Sequence, residues 1–225
     1  MDDRGSDRPI DAVLFDFGGV LTVGSPFTAL GSLGADASVE SDRVLEVLMG
    51  AYHEDTDHPF HRMERGELAA AEWFAFARAD LAGEGIAIEP AALVALFQSL
   101  GVQEAMVERV RALKADGYRT AIVTNNVREA ADGWRAMLPV DELFDVVVDS
   151  SAVGMRKPDP RIYRHALEEL GGVPPGRSVF LDDHPANVAA ARRVGMHAIL
   201  VTEVVADALA ELDRILEGDT DGSMG

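Results

Sequence analysis

The sequence predicts an α/β protein, a doubly wound parallel sheet with an inserted helical domain. Three observations predict it. Short apolar runs recur along the chain and alternate with amphipathic stretches about ten to twelve residues long, the pattern of parallel strands covered by helices on both faces. Several of those runs end in an acid or a threonine followed by turn residues, which suits a sheet whose carboxyl edge carries a site. One stretch of roughly 80 residues breaks the alternation and is too long for a loop.

Residues 12–17 (AVLFDF) read as a buried strand emptying into the tight turn Gly18-Gly19. Residues 119–124, 145–149, 178–182 and 198–201 have the same character, and helical patterns lie near 104–116, 128–138, 160–170, 185–194 and 205–216. The interruption carries helical patterns near 38–51, 67–82 and 90–99 and no convincing strand. Between Glu67 and Arg78, the spacing of Leu68, Ala71, Phe74 and Ala75 predicts one apolar face. The expected division is a discontinuous core over 9–22 and 104–216, a helical insertion over 23–103, and flexible polar termini at 1–8 and 217–225.

A chain of 225 residues, 48% hydrophobic and 26% charged, has enough apolar material for a sizeable core. Its 39 acids against 20 bases give a formal net charge of −19. That field repels nucleic acid and anionic membranes, so neither is expected as a partner. It also repels any anionic ligand unless cations reverse the sign locally. The absence of cysteine excludes disulfides, thiolate metal sites and thiol catalysis. The first ten residues have neither the basic nor the apolar region of a secretory leader, and no apolar run reaches the ~18 residues of a membrane span. The expected location is cytoplasmic.

Four pieces carry chemistry. Asp16 stands at a strand end, where structure alone needs only a hydrophobe or a turn residue. A carboxylate attacking phosphorus must have a cation on the same oxygens. Asp182-Asp183, also at a strand end, supply hard oxygen ligands of the kind that suit Mg²⁺, although acids before Pro185 also suit a helix N-terminus. Thr124 ends another strand, so its hydroxyl and the N–H of Asn125 can donate to phosphate oxygens. Lys157, one of only two lysines, precedes Pro158-Asp159-Pro160 and can neutralise Asp16 and bind phosphate.

Asp16-Phe17-Gly18-Gly19-Val20-Leu21-Thr22, Thr124-Asn125-Asn126, Lys157-Pro158-Asp159-Pro160 and Phe180-Leu181-Asp182-Asp183-His184-Pro185-Ala186-Asn187 resemble, in order and spacing, the four motifs of the haloacid dehalogenase superfamily. Within it they look closest to the group containing the N-terminal phosphatase domain of soluble epoxide hydrolase, and Met63-Glu64-Arg65-Gly66-Glu67-Leu68 agrees with that grouping. The resemblance implies a Rossmann-like core in which the first and fourth strands are neighbours, with the insertion as a helical cap. It implies Asp16 as nucleophile, with Lys157 and Thr124 as its catalytic partners. Thr124, Asn125, Lys157 and Gly19 would bind substrate. Mg²⁺ would be held by Asp16, the carbonyl of Gly18, Asp183 and Asp182, and Asn187 would support them. The implied reaction is hydrolysis of a small phosphomonoester through an aspartyl-phosphate.

One position departs from the pattern. Family phosphatases usually carry a second aspartate two residues after the nucleophile as general acid–base, a function often worth ~10²–10⁴ in rate, and here that residue is Gly18. Candidates to replace it are His53, His58 and His61 of the insertion and His184 beside the acidic pair. A substrate with a good leaving group would need no replacement. Two alternatives follow: a metal-independent 2-haloacid dehalogenase, or a catalytically weak domain that binds a phosphorylated ligand or partner. The apolar helices of the insertion could also support a homodimer.

Overall fold

The computed structural model describes residues 8–24, 41–83 and 100–218, apart from the side chains of 41–43. The helix expected over 90–99 and nearly all of the expected flexible termini lie outside the described residues. The strands are β1 (Ala12–Phe15), β2 (Thr22–Val23), β3 (Gly101–Val102), β4 (Arg119–Thr124), β5 (Val146–Asp149), β6 (Ser178–Asp182) and β7 (His197–Leu200). The helices are α1 (Ser41–Met49), α2 (Pro59–Glu64), α3 (Ala70–Gly83), α4 (Glu104–Ala115), α5 (Ala131–Arg135), α6 (Val140–Leu143), α7 (Ser150–Val153), α8 (Pro160–Glu169), α9 (Pro185–Val194) and α10 (Val205–Leu216).

Five strands form one parallel sheet in the order β5-β4-β1-β6-β7. The chain runs outward from β1 through β4 to β5, then returns to the other side of β1 for β6 and β7. The crevice beyond the carboxyl ends of β1 and β6 is therefore the switch point where such sheets place their sites. Register makes this exact in residues: Phe15 pairs with Leu181, and the next amide, Asp16 N–H, donates to the Leu181 carbonyl at 2.8 Å.

β1 is buried on both faces, which is why its sequence shows no polar alternation. Val13 and Phe15 join one cluster with Met106, Val107, Val110 and Leu113 of α4 and Leu212 of α10. Ala12 and Leu14 point the other way, towards Ile162, Tyr163 and Ala166 of α8 and Val188 and Ala191 of α9. Each fully buried Leu or Phe in such a strand contributes roughly 1.5–3 kcal/mol.

A third cluster, built from Val44, Leu48, Phe60, Met63, Trp73, Ala77 and Leu81, packs α1, α2 and α3 together. Four details differ from the sequence reading. The insertion was expected to lack strands, yet β2 and β3 pair antiparallel, with Thr22 opposite Val102 and Val23 opposite Gly101. The polar, histidine-bearing stretch contains α2, started by Pro59 and by His58, whose Nδ1 accepts from Phe60 N–H. In α3 the inward face is Trp73, Ala77 and Leu81, with Ala71 and Ala75 exposed, because the indole is anchored by its N–H to the Leu48 carbonyl at 3.0 Å. Finally, the helix expected over 128–138 is broken into a 3₁₀ turn, Arg128–Ala130, and the short α5, with Trp134 as its buried side chain.

Candidate active site

Asp16 is the first residue beyond β1, and its carboxylate is nearly buried. Oδ1 accepts from Phe17 N–H at 2.6 Å and lies 2.8 Å from the Lys157 ammonium. The chain then turns through Gly18 and Gly19. Gly19 has φ +71°, and a Cβ there would overlap the Asp183 carboxylate, so glycine is required for both backbone and space. The Gly19 N–H donates to Thr22 Oγ1 at 3.0 Å.

Asp182 ends β6 and is fully buried. Its Oδ2 accepts from Lys157 Nζ at 2.7 Å, and its Oδ1 accepts from His184 N–H at 2.8 Å and Asn187 Nδ2 at 3.0 Å. Asn187, on the first turn of α9, is itself buried and orients this carboxylate. Asp16, Asp182 and Asp183 present carboxylate oxygens within 4.8 Å of one another.

Lys157 is buried with its ammonium shared between Asp16 and Asp182. Its main chain is clasped by one side chain, because Asn125 Oδ1 accepts from Lys157 N–H at 2.7 Å while Asn125 Nδ2 donates to the Lys157 carbonyl at 3.0 Å. Thr124, buried at the end of β4, stands next to Asn125. The residues picked out by the motifs thus converge on one sheet edge.

Burial pushes the Asp16 carboxyl well above its usual range, reinforced by Asp182 and Asp183 and opposed by Lys157. Burial alone would lower the Lys157 ammonium, but the carboxylates of Asp16 and Asp182 more than offset it, and its pKa is raised. Three carboxylates gather here around the Lys157 ammonium, and their close approach favours a further cation. A hard divalent cation suits such a cluster in charge sign and donor type, so the residues fit Mg²⁺.

Residues that the motifs did not mark close the other side. Tyr52 donates its hydroxyl to Glu64 Oε1 at 3.0 Å and accepts from Asn125 Nδ2 at 3.2 Å. Glu64 is buried and ion-paired with the fully buried Arg156 at 2.7 Å. The sequence signals for this pair were Arg156, a second base directly before the site lysine, and the segment Met63-Glu64-Arg65-Gly66-Glu67-Leu68 that holds Glu64. Of the three insertion histidines, His58 caps α2. His61 accepts from Thr56 N–H at 3.0 Å, and burial, then Arg156, hold its pKa down to about 3. His53 is largely exposed. His184 packs edge-on against the Tyr52 ring, 5.2 Å between centroids.

Residues 10–195 match the family described as haloacid dehalogenase-like hydrolase. The chain belongs to this family. It is therefore a hydrolase of the haloacid dehalogenase-like type, as its motifs and its five-stranded parallel sheet lead one to expect. It is 31% identical over 219 residues to bifunctional epoxide hydrolase 2 of Mus musculus, covering 89% of this chain and 38% of that protein. The chain spans about two fifths or less of the length of the first curated relatives it matches. Other curated relatives carry phosphatase names. Among solved structures, a haloacid dehalogenase family enzyme of Bacteroides thetaiotaomicron in complex with magnesium and inorganic phosphate superposes with a TM-score of 0.63 at 19% identity, over 87% of this hydrolase and 96% of that chain. The L-2-haloacid dehalogenase of Xanthobacter autotrophicus superposes with a TM-score of 0.59 at 20% identity, over 95% and 85% of the two chains. Among the described residues, no helix of this hydrolase is long and apolar enough to cross a membrane.

Proposed function

We propose that this hydrolase is a Mg²⁺-dependent phosphatase acting on a small phosphomonoester in the cytoplasm, with Asp16 as nucleophile and residues 23–103 as a cap over the site. The observation that carries the reading is the meeting of Asp16, Asp182 and Asp183 with a single buried lysine at the carboxyl ends of neighbouring strands. Asp16, the carbonyl of Gly18 and Asp183 would hold the ion. Asp182, whose oxygens already accept from Lys157, Asn187 and His184, would steady the lysine and complete the set. When bound, Mg²⁺ supplies charge neutralisation for the phosphoryl oxygens and keeps Asp16 ionised.

Lys157, the Thr124 hydroxyl and the main chain at Asn125 would hold the phosphoryl oxygens, and Gly19 would leave room for Asp183 beside them. A carboxylate oxygen of Asp16 attacks phosphorus, the ester P–O bond breaks, and the leaving alkoxide takes its proton from solvent water, since Gly18 offers no side-chain acid. Water then attacks the phosphorus of the aspartyl-phosphate, releasing inorganic phosphate and regenerating the carboxylate. The curated relatives named as phosphatases support this reading. So does the shared fold of the protein crystallised with magnesium and phosphate.

The test is release of phosphate from p-nitrophenyl phosphate and a panel of sugar and lipid phosphates, with and without Mg²⁺. Asp16→Asn should abolish turnover and leave the circular dichroism spectrum unchanged. Phosphate release retained by that variant would refute the nucleophile. A second reading, 2-haloacid dehalogenation, draws on Gly18 in place of a second aspartate and on the fold shared with the Xanthobacter enzyme. Halide release from a 2-haloacid, insensitive to chelator, would establish it instead. The carboxylate cluster weighs against it, since attack on carbon has no need of so many acids.

A further inference from the structure

One set of the pairs that join the helical segment to the sheet side forms a closed path. Arg156 Nε donates to Glu64 Oε2 at 2.7 Å, and Tyr52 donates to Glu64 Oε1 at 3.0 Å. Asn125 Nδ2 donates to Tyr52 at 3.2 Å and to the Lys157 carbonyl at 3.0 Å, while Asn125 Oδ1 accepts from Lys157 N–H at 2.7 Å. Lys157 is the residue after Arg156, so the path closes on itself. It passes between the α2 region and the sheet loops twice, once through an ion pair and once through a hydroxyl. The Arg156 guanidinium also lies over the Tyr52 ring, 4.7 Å from its centroid, and donates to the Glu54 carbonyl at 3.0 Å. Nearby, Gly66 has φ +68°, and a Cβ there would overlap the Ser151 carbonyl, so the turn after α2 is seated directly on the sheet side.

Resting on the phosphatase reading of Lys157, we propose that Tyr52, Glu64 and Arg156 are positioning residues: docking of the helical segment sets Asn125, and Asn125 sets the main chain of the phosphate-binding lysine. The physical ground is that Glu64 and Arg156 are buried charges, each costly without the other, so the pair exists only when the two parts are docked. Asn125 can clasp Lys157 in one orientation of its amide, and Tyr52 selects that orientation by accepting from the same Nδ2. Seating of the segment and placement of the lysine are therefore one event.

The test uses the fact that the chain has only two lysines, Lys114 and Lys157. Their side-chain ammonium resonances in ¹⁵N-labelled protein are read in the wild type and in Tyr52→Phe, a substitution that alters no formal charge, so that any shift reports geometry. The Lys157 resonance should move and its hydrogens should exchange several-fold faster. Lys114, paired with Asp145, should stay where it is. With p-nitrophenyl phosphate, kcat should fall roughly three- to tenfold, the worth of one hydrogen bond, with KM little changed. Tyr52→Met, equally neutral, serves the same purpose if the phenylalanine variant does not fold. An unmoved Lys157 resonance in the folded variant, even with a lowered melting temperature, overturns the proposal. A wild type that hydrolyses no phosphate ester counts against the proposed function alone, since the lysine readout needs no turnover.

Discussion

Lys157 holds Asp16 at 2.8 Å inside the protein, and its side chain is only 1% exposed. Removing one partner of such a buried pair leaves the other uncompensated, a loss of ~3–5 kcal/mol. Lys157→Met is therefore expected to lower stability by about that amount in urea denaturation without divalent ions. Mg²⁺ should return part of the loss, raising the melting temperature more in the variant than in the wild type, because the variant's carboxylates have lost the Lys157 ammonium. Equal shifts in the two proteins would argue against cation binding at this cluster.

Gly19→Ala tests the space left for Asp183. A left-handed backbone costs an alanine roughly 1–2 kcal/mol, and the added methyl pushes the Asp183 carboxylate from its place. The informative readout is the stabilisation conferred by Mg²⁺ in differential scanning calorimetry, which should be lost. A variant that is weaker overall but keeps the full Mg²⁺ response would show that Asp183 needs no such seat.

Asp16 has a linkage consequence. Its folded-state pKa is raised by burial and by Asp182 and Asp183, so the folded chain takes up the proton more readily than the unfolded one. Protonation therefore favours the folded state: this contribution is fully present below the ordinary value of 3.8 and is lost as pH rises through the raised one. At neutral pH without divalent ions, Asp16→Asn, which leaves Lys157 still paired with Asp182, should be more stable than the wild type, and the difference should shrink as the buffer is acidified. Urea midpoints at several pH values measure it.

His61 works in the opposite direction. Its pKa of about 3 in the folded chain lies below the ordinary 6.5, so the unfolded chain binds the proton first. The neutral ring's contribution is intact above pH 6.5 and is lost progressively towards 3. His61→Gln should flatten the acid limb of the wild-type stability curve between those values.

The sheet was legible because both of its signals are local. A strand such as Ala12–Phe15 is a continuous apolar run, and the acid after it marks the carboxyl end. The meeting of Asp16, Thr124, Lys157 and Asp182 was not local: each stands at a strand end or before α8, but the pairing of β1 with β6 that joins them was implied only by the resemblance of the four motifs. What the sequence did not reveal depends on pairs distant along the chain. Arg156 and Glu64 are 92 positions apart, and neither has a neighbour that announces the other. Helix α2 is six residues long, too short to show a period, and the face of α3 was decided by the single large indole of Trp73 rather than by the spacing of small apolar residues.

The small ladder of β2 and β3 has one more consequence. With Thr22 opposite Val102, and Gln103 N–H donating to the Leu21 carbonyl at 2.9 Å, the chain leaves the sheet and comes back to it through a single doorway. Whatever is spliced between those two positions leaves the course of the five parallel strands untouched. Evolution, or an engineer, could exchange the whole intervening segment for one of another shape and keep the carboxylates and the lysine where they are, provided that the new piece brings its own counterpart for Arg156.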